Sequence, residues 1–413
     1  MNAPEMHSSI KCCMVGIFNY FVDSRVRGYA KWLKKAGGSV DVLTSYRYEA
    51  NQLLEEDGVR VFTIPSRQQK GKRLMYILDY AASFFVFAAR LTKLYFKNHY
   101  DVIHFHNMPD FLVFTGLIPK IFGAKIILDI HDPLPEMYMS KFPSKENSIA
   151  MKLIRLEERL SAAFSHWVIT ANTHFKDNLI KRGIPARKIT TINNYPDTDI
   201  FQFSKRPAEG SVHHDQFTLI FPGTIAPRYG LEVAINAMPT LIREIPNIHL
   251  LIIGRLFEHA ASLISLAESL GVTQYVEFRP GIPNKKIPEL LLQADVGIYP
   301  ALPDRHMSIA IPGKLLEFAI MGLPIISSRL QIVEEMFDDT AVMFFEPGNA
   351  EEFAQCVKAL YEDEALRKRM VQRADETLAQ KHSLDHEVRK YLSLLNNLAN
   401  RTIPIPEFDV TPK

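Results

Sequence analysis

The sequence predicts an α/β protein with two doubly wound parallel-sheet domains that face a cleft. Short apolar runs rich in Val and Ile alternate with helical patterns along most of the 413 residues, which is typical of βαβ units. The runs do not alternate polar with apolar residues, as expected of strands that are covered on both faces. The pattern breaks over residues 194–216 and then restarts, which indicates a junction between two domains.

The predicted strands of the first half are KCCMVGIF, VDVLT, VRVFTI, DVIHFH, AKIILDI, HWVIT and KITTIN. Those of the second half are FTLIFPG, NIHLLIIG, YVEFRPG, ADVGIYP, LPIISS and AVMFFEPG. A long helical region follows, with a bend expected near His382. We therefore expect an N-terminal domain of residues 1–200, a C-terminal domain of residues 201–380, and a helix within residues 381–413 that packs back on the N-terminal domain.

Composition excludes several classes of protein. A net charge of +2 gives no overall field that would attract nucleic acid, so no nucleic-acid partner is expected. The three cysteines cannot build a disulfide framework and are expected to be buried thiols in a reducing compartment. The N-terminus lacks the basic start and apolar run of a secretion signal, so a cytoplasmic protein is expected.

One segment raises the question of a membrane. Residues 74–96, LMYILDYAASFFVFAARLTKLYF, are rich in aromatic residues but are interrupted by Asp79, Arg90 and Lys93, and a spanning helix is predominantly apolar. The basic run RQQKGKR precedes them. Three interpretations remain open: a core helix behind a solvated basic loop, a helix in peripheral contact with an anionic membrane, such as the inner face of the plasma membrane, or a true span.

Common nucleotide and metal motifs are missing from the sequence. It contains no GxxxxGK[ST] loop and no GxGxxG after the first strand, so kinase and NAD-dependent functions lose their main support. It contains no CxxC pair and no HExxH, so a zinc site has no basis. No pair of acidic residues of the DxD type follows a strand, and we expect an enzyme that works without metal or other cofactor.

Polar residues do follow two neighbouring predicted strands. A histidine at the carboxyl end of a buried parallel strand lies where such sheets bind ligands, and it can bond a sugar hydroxyl or transfer a proton. The alternative is a turn histidine capped by Asp132. Three histidines there could also suggest a metal, but no carboxylate spacing supports one. The residues concerned are His104, His106, Asn107, His131, Asp132 and Glu136.

A second cluster lies in FPGTIAPRYGLE, residues 221–232. A strand ends at Gly223, and the turn that follows carries Arg228 into a helix that starts near Gly230. An arginine beside the free N–H groups of a helix start is well suited to bind phosphate. A solvated turn arginine is the alternative.

The third cluster is IPGKLLEFAIMGLP, residues 311–324. Pro312 and Gly313 open a helix whose first turn carries Lys314 and, on the same face, Glu317. A lysine at the positive end of a helix is unfavourable unless an anion binds there. Glu317 can accept two hydrogen bonds from a vicinal diol such as a ribose. A plain Lys–Glu pair on the helix surface is the alternative.

These residues resemble a known family. PGKLLEFAIMGLPIISS is similar to the donor-site segment of the retaining glycosyltransferases of family four, which have the GT-B fold of two Rossmann-like domains. Further similar segments are GYAKWLKKAGGSVDVLT, DVIHFHNMPDFLV, IILDIHDPLPE, GTIAPRYGLEVAINAM and FFEPGNAEEFAQCVKAL. The resemblance implies transfer of a hexosyl group from a nucleotide diphosphate-sugar to a saccharide or lipid-linked saccharide, in surface-polysaccharide or glycoconjugate biosynthesis.

The resemblance also implies roles for residues. Glu317 matches the second glutamate of the E-x7-E motif, which holds the donor ribose. Arg228 and Lys314 would contact the diphosphate, with Gly223 and Gly313 beside them, and His131 matches the histidine near the transferred sugar. The catalytic residues expected are thus His131, Arg228 and Lys314. On the acceptor or sugar side we expect His106, Asn107, Asp132, Arg27 and Gly28.

Three departures from the family pattern concern the donor. Ile309 stands where the first motif glutamate is usual, and Tyr229 replaces a lysine, which leaves one cation fewer. SRVRGYA, with Arg25, Arg27 and Gly28, stands in place of a Gly-Gly loop. Two rival functions remain: a nucleotide-sugar epimerase that would use Asp132 and Glu136, and a non-catalytic binding subunit.

Overall fold

The computed structural model describes residues 9–45, 51–65, 73–141, 148–206, 215–256 and 258–406. Within these residues the chain divides into two units. The N-terminal unit runs to Tyr195 and includes the segment from Leu384 onward, and the C-terminal unit runs from Pro196 to Ser383. Residues 67–72, which hold most of the basic run, lie outside the described residues.

The N-terminal unit is built on one twisted sheet. In the described residues its strand order is β3-β4-β2-β1-β5-β6-β7-β8, with every pair parallel except β3 with β4. The strands are β1 (Lys11–Gly16), β2 (Ser39–Thr44), β3 (Leu53–Glu56), β4 (Val59–Thr63), β5 (Val102–His106), β6 (Lys125–Ile130), β7 (Trp167–Thr170) and β8 (Ile189–Thr191). The helices that follow them are α1 (Ser24–Lys35), α2 (Arg73–Asn98), α3 (Leu117–Ile121), α4 (Leu134–Lys141), α5 (Ile149–Phe164) and α6 (Thr173–Lys181).

The C-terminal unit repeats this plan with a fully parallel sheet of order β11-β10-β9-β12-β13-β14 in the described residues. Its helices are α7 (Leu231–Glu244), α8 (Glu258–Ser269), α9 (Ile287–Leu291), α10 (Gly313–Met321), α11 (Gln331–Met336), α12 (Ala350–Glu362) and α13 (Glu364–Lys381). Its strands are β9 (Phe217–Pro222), β10 (Ile248–Gly254), β11 (Val276–Pro280), β12 (Val296–Tyr299), β13 (Ile325–Ser328) and β14 (Val342–Phe345).

The last helix, α14 (Leu384–Ala399), belongs to the N-terminal unit. The Tyr391 ring lies 4.4 Å from the Tyr29 ring of α1, measured between centroids. Glu387 accepts a hydrogen bond from the Asn193 backbone N–H at 2.9 Å. The helix is therefore fixed to this unit by ring packing against α1 and by a buried carboxylate bonded to the segment after β8.

The prediction of two doubly wound α/β units is confirmed, and each run predicted as a strand contains one. Apolar runs that are buried on both faces produce these strands, as the fully buried β5 illustrates. Strand β3 was not predicted because its sequence, LLEE, is half exposed at an antiparallel sheet edge. Helix α2 covers the aromatic segment, and no helix among the described residues is long and apolar enough to span a membrane.

Candidate active site

The carboxyl ends of β5 and β6 bring three histidines together in the N-terminal unit. The strands are parallel neighbours in which His106 lies opposite Asp129, and His131 follows β6 directly. The His104 and His106 rings lie 4.1 Å apart between centroids, and the His106 and His131 rings lie 6.4 Å apart. The three histidines of the first predicted cluster thus lie together on two neighbouring strands of one sheet.

Asp129, which the sequence patterns did not single out, lies at the centre of this cluster. Its carboxylate accepts two hydrogen bonds from the Arg25 guanidinium, at 2.8 and 2.9 Å. The same carboxylate lies 3.4 Å from Nδ1 of His106 and 3.6 Å from Nδ1 of His131. Asp129 is fully buried, and such a charge is stable only with this kind of partner.

The charges of the cluster follow from this contact. Burial alone would raise the pKa of Asp129, but Arg25 and then His131 hold that pKa well below its usual range. Burial would lower the pKa of His131, but the Asp129 carboxylate outweighs it, and the pKa is raised. His106 and His104 have lowered pKa values because of their burial. His131 is therefore the histidine of this cluster that most readily carries a proton.

Asn107 shapes the turn that presents His131. Its side-chain oxygen accepts from the backbone N–H of His131 at 3.3 Å and of Asp132 at 3.4 Å. Its side-chain amide donates to the Asp132 carbonyl at 2.8 Å. Asn107 thus acts through its neighbours, by fixing the backbone on which His131 stands.

Arg27 and Gly28, predicted on the sugar side, lie on α1 with different surroundings. Arg27 forms an ion pair with Glu56 of β3. A Cβ on Gly28 would meet the Trp32 ring only at an ordinary contact distance of 3.5 Å. The arginine that reaches the histidine cluster is Arg25, whose Nη1 also bonds the Ile192 carbonyl at 2.8 Å.

Glu136, a residue of the rival epimerase hypothesis, has a structural role. It is buried, and its carboxylate accepts from Arg182 at 2.7 Å and from Asn178 at 2.9 Å. Arg182 also binds Glu158 through two hydrogen bonds, at 2.6 and 2.9 Å. A carboxylate held in such a network is a poor base for moving protons on a sugar.

A cation does not suit the histidine cluster. His104, His106 and Asp129 place potential ligand atoms within 4.8 Å of one another. Both oxygens of Asp129 are nevertheless engaged by Arg25, so a metal ion would face a guanidinium across the carboxylate. His104 is in contact with Tyr391, at 3.2 Å between Nδ1 and the hydroxyl. The donor set therefore favours a charge network over a metal centre.

The second and third predicted clusters meet in the C-terminal unit. Gly223 follows β9 with φ of +140°, a conformation that favours glycine. A Cβ at this position would lie 2.4 Å from Cε and 2.7 Å from Nζ of Lys314 on α10. The backbone angle therefore favours glycine here, and a Cβ would displace the end of the Lys314 side chain that packs against it.

Tyr229 brings two cations together. Nζ of Lys314 lies 4.5 Å from the centroid of the Tyr229 ring and 4.9 Å from that of Phe221. The Arg228 guanidinium lies 5.4 Å from the Tyr229 centroid. Among the described residues neither Arg228 nor Lys314 forms an ion pair with a carboxylate. Two positive charges with no carboxylate at ion-pair distance are what an anion-binding site needs.

The start of α10 adds further donors. Its N-cap is Pro312, and no side chain caps it. The Leu315 N–H donates to the Pro312 carbonyl at 3.1 Å, so the Gly313 and Lys314 N–H groups are the ones available to a ligand. Glu317 lies one turn on, partly buried, without a hydrogen bond to any other described residue. Burial raises the pKa of Glu317 to about 7, although Lys314 acts to lower it. The helix thus presents donors for an anion and a carboxylate for hydroxyl groups.

Two other predicted positions lie close by in the chain. Gly230 is the N-cap of α7 with φ of +57°, and a Cβ there would lie 2.2 Å from the Pro300 carbonyl oxygen. Ile309 stands in a turn where its backbone N–H donates to the His306 carbonyl at 3.1 Å. Asp304 caps the same turn, since it accepts from the backbone N–H of His306 at 2.7 Å.

Family models match both units. One, described as a glycosyl transferase 4-like domain, covers residues 22–195, and the other, glycosyl transferases group 1, covers residues 203–377. The chain is a GT-B glycosyltransferase. Arg228, Lys314 and Glu317 lie within the group 1 match, and the histidine cluster lies within the 4-like match.

Two relatives with known names are similar to this glycosyltransferase in sequence. One is a component of the Homo sapiens phosphatidylinositol N-acetylglucosaminyltransferase, to which it is 21% identical over 398 residues, a match covering 94% of this chain and 74% of the relative. A second relative is the GDP-mannose-dependent alpha-(1-6)-phosphatidylinositol monomannoside mannosyltransferase of Mycolicibacterium smegmatis. This chain is 30% identical to it over 118 residues, a match that covers 28% of this chain and 30% of the relative.

A solved structure with the same fold is that of Anabaena HepE in complex with UDP and glucose. It has a TM-score of 0.65 and 16% sequence identity, over 94% of this chain and 99% of that one. The solved structure thus supports the GT-B fold of both units, and HepE itself holds a nucleotide and a sugar in that complex.

Proposed function

We propose that this glycosyltransferase moves a hexosyl group, with retention, from a nucleotide diphosphate-sugar to a saccharide or lipid-linked saccharide. The observation that carries the proposal is the meeting of Arg228 and Lys314 on the Tyr229 ring, without an acidic partner among the described residues. A diphosphate has the charge that such a pair would balance. The UDP and glucose bound to HepE support a donor of this kind.

The diphosphate would lie against Arg228, Lys314 and the first turn of α10. When the bond between sugar and diphosphate breaks, negative charge grows on the leaving phosphate. Cations fixed in advance stabilise that charge without having to reorganise, which is commonly the largest contribution to such catalysis. We therefore assign Arg228 and Lys314 to the departing diphosphate, with Gly223 and Gly313 giving its oxygens room.

Glu317 would bind the ribose of the donor. An ionised carboxylate accepts two hydrogen bonds from a vicinal diol, and burial strengthens such bonds. The pKa of about 7 means that Glu317 carries its charge fully only above neutrality in the free protein. Ile309 cannot replace the hydroxyl contacts of a second glutamate, so the sugar would be held by other groups.

His131 would act on the transferred sugar. Asp129 favours its protonated form, which can donate a hydrogen bond to a sugar oxygen or stabilise charge on it. His106, Asn107 and Asp132 would support that role from the same edge of the sheet. Retention needs no protein nucleophile if the acceptor attacks from the side on which the diphosphate leaves.

The acceptor we propose is lipid-linked. Two relatives have phosphatidylinositol in their names, which supports an acceptor at a membrane surface, and peripheral contact with anionic lipid through the segment of α2 is part of the proposal. The chain's own cations offer the charge balance that a metal otherwise supplies. We therefore propose transfer without a metal, in which case chelation leaves the activity unchanged.

A thermal-shift screen with UDP-, GDP- and ADP-sugars tests the donor. We expect one base to raise the melting temperature, because a ligand that binds only the folded state stabilises it. Incubation of that donor with and without a lipid acceptor fraction then separates transfer from epimerisation, which needs no acceptor. A donor converted to an isomeric nucleotide-sugar, or no stabilisation by any donor, would contradict the proposal.

A further inference from the structure

Most of the exposed large apolar side chains of the described residues lie on one part of the N-terminal unit. They belong to α2, to α3 with the residue after it, and to α5, and their exposed fractions run from 41% to 78%. They are Phe85, Val86, Phe96, Leu117, Ile118, Ile121, Phe122, Ile149, Leu153, Leu156 and Leu160. We call this set the apolar face. Exposed large apolar side chains concentrated on a few neighbouring elements point to an interaction site.

Helix α5 shows that the exposure is a property of a whole helix face. Ile149, Leu153, Leu156 and Leu160 are spaced by four, three and four residues, so they form one stripe. Their exposed fractions are 78%, 60%, 49% and 53%. The opposite side of the helix is buried through Met151, Glu158 and Ala162. The exposed side of α5 is therefore apolar, and its buried side contains Glu158.

Side-chain contacts connect the three helices at their ends. The Phe96 ring of α2 lies 5.1 Å from the Phe122 ring at the end of α3. Lys120 of α3 donates to the Phe164 carbonyl at the end of α5 and lies 4.2 Å from the Phe164 ring. Contacts between side chains thus link α2 to α3 and α3 to α5.

The exposed charged side chains that the structure describes on α2, α3 and α5 have one sign. Lys93 and Lys97 on α2 are exposed, as are Lys152 and Arg159 on α5. Residues 82–98, 117–122 and 149–164 contain only Glu157 and Glu158 as acids. Glu158 is fully buried and paired with Arg182, and Glu157 is partly buried and accepts from Ser161 at 3.1 Å. The exposed charge of the three segments is therefore positive.

We propose that the apolar face inserts into the interface of an anionic lipid membrane, with α5 and α3 as its main contact elements. Apolar side chains surrounded by Lys and Arg suit the boundary between acyl chains and negative headgroups. Two copies of this face placed against each other would bring cations opposite cations, which opposes a dimer. The occupant that satisfies both the leucines and the charges is an anionic lipid surface.

This inference extends the proposed function, and its biological purpose rests on the lipid-linked acceptor proposed there. An enzyme held at the bilayer meets a lipid-linked acceptor at a far higher local concentration than one in solution. Vesicle binding and nucleotide binding are separate measurements, so failure of one proposal is distinguishable from failure of the other.

Vesicle flotation of the full chain tests the inference, with phosphatidylcholine vesicles that do or do not contain phosphatidylglycerol. We expect binding to the anionic vesicles at low salt and a partition coefficient lower by about tenfold or more in the Leu153→Ser/Leu156→Ser variant. The matched control is Leu256→Ser/Leu270→Ser in the C-terminal unit, where the side chains are 45% and 37% exposed. That control should bind as the wild type does.

A second pair of variants tests the charge. Lys152→Glu/Arg159→Glu should lose the preference for anionic vesicles, and Lys285→Glu/Lys286→Glu, exposed in the C-terminal unit, should keep it. A polarity-sensitive dye on Leu156→Cys should gain emission with anionic vesicles, which gives a readout without removing the stripe. Wild-type protein that ignores anionic vesicles would overturn the proposal. So would a wild-type dimer that the Leu153→Ser/Leu156→Ser change makes monomeric.

Discussion

Lys314 and Arg228 share the ring of Tyr229, with Nζ of Lys314 4.5 Å and the guanidinium carbon of Arg228 5.4 Å from its centroid. A lysine is usual at this position in the family pattern, so Tyr229 leaves the chain with one cation fewer there. In the structure the tyrosine attracts both remaining cations through its ring. Two like charges are thus held against the same ring in the free protein.

The first prediction concerns that ring. Replacing Tyr229 by Ala should weaken binding of the preferred nucleoside diphosphate by about tenfold, because the two cations lose the surface that positions them. Tyr229→Phe keeps the ring and should bind within about twofold of the wild type. Isothermal titration measures both. Equal affinities for Ala and Phe would show that the ring has no such role.

The second prediction concerns Gly223. An alanine there would meet Lys314 at 2.4 Å with φ of +140°, so Gly223→Ala should lose nucleotide affinity as well as about 1–3 kcal/mol of stability. Gly348→Ala is the matched control, because its φ is +86° and nothing lies within 4 Å. It should show backbone strain alone, with unchanged affinity. Denaturant unfolding and titration separate the two effects, and a Gly223→Ala protein with normal affinity would refute the assignment.

The third prediction concerns pH and nucleotide binding. Because the pKa of Glu317 is about 7, its charge is lost as pH falls below neutrality, and the ribose then loses an acceptor. Nucleotide affinity should therefore decrease between about pH 8 and pH 6. Glu317→Gln should bind weakly at both ends of that range. A wild-type affinity that is flat across the range would contradict the ribose contact.

The fourth prediction is the stability of Glu317→Gln. The pKa of Glu317 is raised from 4.5 to about 7 in the folded protein. The unfolded chain therefore ionises first as pH rises from 4.5 to about 7, and the folded state loses stability over that range. The free energy of unfolding of Glu317→Gln should thus exceed that of the wild type by about 2 kcal/mol at pH 8 and match it near pH 4.5. Melting curves at the two pH values check this. A destabilised variant at pH 8 would mean that the carboxylate has partners in the free protein.

The fifth prediction concerns Asp129. Asp129→Asn leaves Arg25 buried without a counter-charge and should cost about 3–5 kcal/mol of unfolding free energy. It should also lower the pKa of His131, since Asp129 is what raises it. Histidine ring NMR across pH follows that pKa, and His106→Asn is a control that leaves the Asp129 carboxylate in place. An unchanged His131 titration would show that the contact at 3.6 Å has no electrostatic effect.

The fold follows from the sequence where burial is simple. Runs such as KIILDI are apolar because both faces of the sheet are covered, so β6 and its neighbours could be predicted. Asp129 was not predicted as a site residue, because it is a single acidic residue inside an otherwise apolar strand. Its partner Arg25 is distant in the chain, and only the fold brings the two together.

The site was predictable in its parts but not in its assembly. Lys314 and Arg228 could be selected because cations at helix starts are unfavourable without an anion. Their meeting on Tyr229 depends on how α10 packs beside the turn after β9, which no local pattern encodes. The stripe on α5 has the same periodicity whether it faces the core or the surroundings, so its exposure appears only in the fold.

The most direct test of the central claim compares UDP, GDP and ADP with their monophosphates, by titration of wild type and of Arg228→Met/Lys314→Met. If the two cations bind the donor diphosphate, the wild type should prefer one diphosphate to its monophosphate by about tenfold or more, and the double variant should lose that preference while it remains folded. A double variant that still distinguishes diphosphate from monophosphate as the wild type does, or a wild type that binds none of these nucleotides, would contradict the account.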